Sequence, residues 1–249
     1  MIKKVYILFL LFIALLGSCK DKLGPEDCFM SYGKESENTI SLAHFDGIEL
    51  YDRFRVVLRQ DTQQIERIVI KGGSNVIKNV TAVLDNNKLI VKDRNICNWT
   101  RDFSKRITIE INCHKLHSIE VRDDAEILES DELKTDSFVL NQKSTSNINL
   151  KLNIYGKLEV NHNGQGEVKL QGYAAIFVPV MFDAGKLMAK DLQGDYTFAY
   201  HYGLNEMDLN PFKALYVLVG NKGATYYYHE PTETPVQITR LGEGKVEKR

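Results

Sequence analysis

From Ile119 onward, apolar and polar residues alternate in short phrases that return about every twenty positions. One series reads Ile119-Glu-Val, Phe138-Val-Leu, Leu158-Glu-Val, Ile176-Phe-Val, Tyr196-Thr-Phe and Leu215-Tyr-Val. A second runs half a period behind, as Ile148-Asn-Leu, Val168-Lys-Leu, Leu187-Met-Ala, Met207-Asp-Leu and Tyr226-Tyr-Tyr. Each apolar–x–apolar triplet carries the period-two signature of a short, half-buried strand. A single unit of this length cannot bury its own apolar face, so the constant step predicts stacked coils. The expected fold is an all-β parallel solenoid with coils of about twenty residues. Its triplets form two stacked columns, with Leu158 beside Ile176 and Val168 beside Leu187. Turn residues separate the triplets, as in Asn163-Gly-Gln-Gly166 and Gly220-Asn-Lys-Gly223. Glycine there supplies the positive-φ corners that small coils require.

Residues 44–114 lack the beat. Ile48/Leu50, Phe54/Val56/Leu58, Ile68/Ile70, Val83 and Leu89/Val91 read as strands, with a hairpin turn at Asp85-Asn86-Asn87. Gly72 to Asn75 opens a short helical piece. An open stack exposes core and unpaired backbone, so this region is expected to start the sheet and cap it, and residues 115–232 to form the repeated coils. Pro231 and Pro235 close the pattern, leaving 233–249 as a tail.

The N-terminus reads as a targeting segment, residues 1–18. Lys3 and Lys4 precede an apolar run from Val5 to Leu16 that is too short for a ~30 Å hydrocarbon core. It ends in Leu16-Gly17-Ser18-Cys19, which resembles the bacterial lipobox. That resemblance implies a mature chain beginning at an acylated Cys19, with residues 19–43 as a tether. Lys20 behind the anchor, in place of an Asp, favours the outer membrane of a cell envelope.

Loss of Lys3 and Lys4 takes the formal charge from −1 to −3. So small a charge gives no electrostatic case for nucleic acid, and the membrane partnership expected is the acyl anchor alone. Cys113 continues the alternation of Ile107, Ile109 and Ile111 and is expected in the core as a free thiol. Cys28 and Cys97 lie in polar, turn-like settings and are the expected disulfide in an oxidising compartment, with Cys97–Cys113 as the alternative pairing.

The order of these features resembles a family. Phe45-Asp-Gly-Ile48 with Val56 and Gln60, Asn75-Val-Ile, Lys88-Leu-Ile-Val91 and Asn95-Ile-Cys97-Asn-Trp99-Thr-Arg101 are followed, after the triplets, by Gly220-Asn-Lys-Gly223 through Tyr228 and Pro231. This sequence of phrases, over residues 44–232, is similar to the head GIN domain of auto-transporter adhesins found in bacterial envelope lipoproteins. The resemblance implies a right-handed β-helix-like fold and an envelope location, and it supplies no substrate. Several glycines common in the family are replaced here, as at Asp123-Asp124 and Lys143-Ser-Thr.

Catalytic and metal chemistry find little support. The six histidines are scattered, and Cys113-His114-x-x-His117 alternates in phase where zinc needs converging ligands. No nucleophile-elbow, zincin or phosphate-loop pattern is present, so no catalytic residue, metal or cofactor is expected. The alternative function, a β-helix polysaccharide lyase or hydrolase, needs carboxylates on adjacent coils. Glu167 and Glu206/Asp208 are separated by the Leu187 coil. Aromatic residues crowd the last coils instead. Tyr196, Phe198, Tyr226 and Tyr228 fall on the expected inward phase, as core or cap. Tyr216 and Tyr227 fall on the outward phase, and with Asp208 and Asn210 they form the candidate site for a glycan or a surface protein. The expected function is that of a non-catalytic envelope lipoprotein acting as an adhesin or binding scaffold.

Overall fold

Among the described residues, antiparallel pairing is confined to the N-terminal end of the molecule. The structure, a computed structural model, describes residues 28–61, 63–96 and 105–249. There β1 (Glu35–Ser41) runs antiparallel to β4 (Arg67–Gly73), and β4 antiparallel to β7 (Ile107–Cys113). The hairpin β5 (Val80–Asp85) and β6 (Lys88–Asp93) closes the same end, with Asn86 and Asn87 both at positive φ in its two-residue turn. A four-residue helix, α1 (Ser74–Ile77), buries Val76 and Ile77 beneath this cap.

Beyond the cap every pairing is parallel, in two columns that form opposite stretches of each coil. In the first column β6 is followed by β2 (Gly47–Leu50), β8 (Ser118–Val121) and β11 (Phe138–Gln142). It continues through the C-terminal halves of β12 (Ile148–His162), β13 (Glu167–Met181), β14 (Lys186–His201) and β15 (Met207–Val219), and ends on β17 (Gln237–Arg240). In the second column β7 is followed by β3 (Phe54–Gln60) and β9 (Glu126–Ser130). The N-terminal halves of β12 to β15 then lead to β16 (Thr225–Tyr227) and β18 (Val246–Lys248), and β10 (Glu132–Thr135) pairs with the middle of β12. The result is a β-solenoid of about seven turns of roughly twenty residues each.

Between the columns lies one continuous core, running from Phe45 and Phe54 at the cap to Leu215 and Val219 near the far end. Two glycines fix the coil path. Gly172 holds φ at +113°, and a Cβ there would overlap the Leu152 carbonyl of the preceding coil. A Cβ on Gly166 would likewise overlap the Ser146 carbonyl, because successive turns nest backbone on backbone.

Val168 does neighbour Leu187. Leu158, however, neighbours Phe177 and not Ile176. The inward residues of this column are Phe138, Leu158, Phe177, Thr197 and Leu215, so the phase of two triplets is one residue from the expected one. The N-terminal segment differs too, since β1 is sheet where a tether was expected. At the other end β17 and β18 add pairing to the last coil where the pattern predicts an irregular tail.

Candidate functional site

The outward face of the first column changes chemistry halfway along the stack. Near the cap it is a ladder of ion pairs. Glu49 accepts hydrogen bonds from Tyr51 and Arg122 and lies near Lys88, Glu120 pairs with Arg122 and Lys143, and Lys157 pairs with Glu159. Burial alone would raise the Glu49 carboxyl pKa, but the hydrogen bonds from Tyr51 and Arg122 and the charges of Arg122 and Lys88 hold it below the usual value.

At β13 the charges stop. Alternation places Ile176, Val178, Val180 and Phe182 outward on the first of three coils. The next carries Tyr196, Phe198, Tyr200 and Tyr202, and the third carries Tyr216, Leu218 and Gly220, with Ala214 on the same phase but only 1% exposed. Ile176, Tyr196 and Ala214 share one row, and Val180, Tyr200 and Leu218 another. Ile176, Tyr196 and Tyr200 are each more than a third exposed, and Phe182 is 53% exposed. Polar residues bound this grid on both sides, Glu159 and Asn161 on β12 and Gln237 and Thr239 on β17.

The rings of the grid stand on edge. Phe198 and Tyr216 stack with centroids 5.0 Å apart and planes within 6°, and Phe182 and Tyr202 stack at 5.3 Å and 9°. Those separations match the ~4.8 Å strand spacing, so the rings turn their faces to one another along the stack and their edges to solvent. Gly220 continues the second ladder because a Cβ there would run into the Tyr202 ring. Between the ladders lies a cleft of about 270 Å³ lined by Phe198, Tyr200, Tyr216, Leu218, Gln237 and Thr239. At its margin the Tyr196 hydroxyl donates to Glu233, and Lys213 sits over the Tyr196 ring while pairing with Asp195.

The four residues expected to form one site are not together. Tyr216 lies in the grid. Tyr227 belongs to the second column, where it pairs with Leu209 and packs against the core. Its inward phase is set by Thr225, wholly buried with its hydroxyl 2.9 Å from His201 Nδ1, so the strand reads in–out–in over 225–227. Tyr226 therefore points outward, and the Arg249 guanidinium covers its ring at 3.2 Å. Asp208 is 4% exposed, bonded to the Tyr228 hydroxyl at 3.4 Å, and burial raises its pKa. Asn210 stands beside Gln193 at a register shift. Tyr196 and Phe198, expected in the core, are outward members of the grid. Sequence reasoning missed Ile176, Tyr196, Phe198 and Tyr200 because apolar residues occupy both phases of β13, and on β14 the inward positions hold Thr197, Ala199 and His201 while the large apolar residues face out. The available signal was the unbroken alternation of large residues at 196, 198, 200 and 202.

Cys113 is free and buried, with its thiol pushed up to about 12 by burial. Cys28 is disulfide-bonded. Its expected partner Cys97, and the expected anchor Cys19, lie outside the described residues. Among the described residues no group of three or more His, Cys, Asp and Glu side chains converges on a point.

Residues 44–231 match the family described as "Putative auto-transporter adhesin, head GIN domain". The chain belongs to this family. Solved structures share its fold. A "putative adhesin" from Bacteroides fragilis NCTC 9343 aligns with TM-score 0.74 at 20% identity, covering 87% of this chain and 97% of that one. A "putative adhesin" from Parabacteroides merdae ATCC 43184 aligns with TM-score 0.62 at 19% identity over 88% and 98%. A "putative lipid binding protein" from Parabacteroides distasonis ATCC 8503 aligns with TM-score 0.63 at 13% identity over 88% and 99%. None of the curated proteins matches the chain.

Proposed function

We propose that this head GIN domain protein is a non-catalytic adhesin of the cell envelope, tethered by acylated Cys19, that makes contact through the apolar grid of β13 to β15. The observation that carries the reading is the grid itself. Eleven outward positions on three adjacent coils hold no charge, whereas the same face nearer the cap is laced with ion pairs. At about 300 Å² the grid is of the size of the largest apolar patch on a soluble protein, and such a patch often serves a function. The carboxylates a glycan-processing enzyme would need are engaged by cations instead, as in Glu206 with Lys186 and Asp195 with Lys213.

Cells displaying the full chain are expected to adhere through this face to one another or to protein-coated surfaces, and the double variant Phe198→Ser/Tyr200→Ser should lower adhesion about tenfold. Two lost aromatic contacts at ~0.5–1.5 kcal/mol each, plus lost apolar area, amount to that factor. In parallel, Cys19→Ala should move the protein out of the membrane fraction. Undiminished adhesion by the double variant at normal display levels contradicts the assignment of the face, and unchanged fractionation of Cys19→Ala contradicts the anchor.

A further inference from the structure

We propose that the partner of the apolar grid is the grid of a second copy of this chain, packed face to face with its stack axis reversed. The inference rests on the adhesin reading and names its partner. Ring orientation is the first argument. A sugar ring stacks on an aromatic face, but Phe198 and Tyr216 spend their facing surfaces on each other. The grid offers ridges along the stack, separated by about 6.8 Å, two strand residues. Ridged faces of this kind interdigitate when one sheet packs on another about 10 Å away.

Self-complementarity is the second argument. With the axes reversed, β14 lies opposite itself and β13 opposite the partner's β15. Phe182 then faces Gly220, Val178 faces Tyr216 and Val180 faces Leu218, so the largest exposed side chain of one edge meets a glycine and branched aliphatics meet the opposing ridge, while Ala214, 1% exposed, takes no part. The polar borders also meet, Glu159 and Asn161 against Gln237 and Thr239. A pairing with the axes in the same direction would trap the ion ladder of Glu49, Arg122, Glu120 and Lys143 against its own copy and strip it of water. In the reversed pairing that ladder projects past the partner's end and stays solvated.

Size and placement complete the case. Three strands by four alternate positions cover roughly 14 by 20 Å, about 300 Å² per copy, well short of the ~800 Å² per partner of a stable interface. One pair is therefore weak, and strength comes from many copies on a surface. Cys28 and β1 lie at the cap end and the grid at the other, so reversal sends the two tethers in opposite directions. That arrangement joins opposing surfaces.

The test uses cells displaying the full chain. Tyr200 lies on β14, the strand that opposes itself, and Lys190 is exposed at the bend away from the grid. A short bis-maleimide crosslinker, which spans the ~10 Å between packed sheets where a direct disulfide cannot, should link Tyr200→Cys into a dimer and leave Lys190→Cys monomeric. Cys113 is buried and does not compete. Tyr200→Lys should reduce cell–cell clustering about tenfold or more, because two like charges then face each other, whereas Tyr200→Phe should preserve it. Tyr200 is 37% exposed, so unchanged melting temperatures are expected for these variants. No dimer from Tyr200→Cys, equal linking at Lys190→Cys, or clustering indifferent to Tyr200→Lys would overturn the proposal. Grid-dependent adhesion to coated surfaces without self-linking would leave the adhesin reading standing and remove only the second copy.

Discussion

Lowering the pH from 7 to 4 is expected to remove roughly 6 kcal/mol of folding stability through two histidines alone. Gln142, His162, Met181, His201 and Val219 succeed one another inside the stack, one per coil. His162 is fully buried, neither of its ring nitrogens has a hydrogen-bond partner, and His201 lacks one at Nε2. Burial lowers both pKa values to about 4, opposed weakly at His162 by the Gly166 backbone and Asp183 and at His201 by the Asn205 backbone. At pH 7 neither folded nor unfolded chain carries these protons. Below about 6.5 the unfolded imidazoles take them up while the folded ones stay neutral, so stability falls until about pH 4 and then levels. Each site contributes about 3 kcal/mol over that window, and the Met181 coil lies between them, two strand spacings or ~9.6 Å, so their effects add approximately. Carboxylates with lowered values, such as Glu49 and Glu206, lose their stabilisation mainly below pH 4.5 and leave the upper window to the histidines. Urea melts at pH 7, 6, 5 and 4 should show the decline, and His162→Met/His201→Met should flatten it. A wild-type midpoint constant across that range contradicts this account.

Phe177→Ala is expected to cost about 3–5 kcal/mol, and Ile176→Ala less than about 1 kcal/mol. Phe177 is 1% exposed between Leu158 and Thr197, whereas Ile176 is 38% exposed. Chemical denaturation of the two variants decides the phase of β13. If Ile176→Ala proves the costlier, the triplet phase read from the sequence is correct and the grid dissolves with it.

That slip shows how far the sequence was legible. Period, columns and cap could be read because β8 and both halves of β12 alternate apolar-in and polar-out, as Ile119-Glu-Val, Ile148-Asn-Leu and Leu158-Glu-Val do. From Ile176 to Met181 the residues are all apolar or proline, and such a run does not say which phase faces in. On the next coil the inward residue is Thr197, buried with its hydroxyl unpartnered, while Tyr196 and Phe198 face water. Hydrophobicity there points opposite to burial, and such a conflict marks a surface kept for contact. Two other elements were hidden for a different reason. Gln237 to Arg240 are exposed throughout, and Glu35 to Ser41 nearly so. Backbone hydrogen bonds hold both in place and leave no side-chain period to read.

The central claim is that the grid, and not the ion ladder, is the surface that meets a partner. Hydroxyl-radical footprinting of displayed full-length protein tests it most directly, comparing cells in suspension with cells adhering to a surface or to one another. The account predicts that Tyr196, Phe198, Tyr200 and Tyr216 become protected on adhesion, while Tyr51 beside the ion ladder and exposed Tyr155 keep their reactivity. Protection at Tyr51 with an unchanged grid would contradict it.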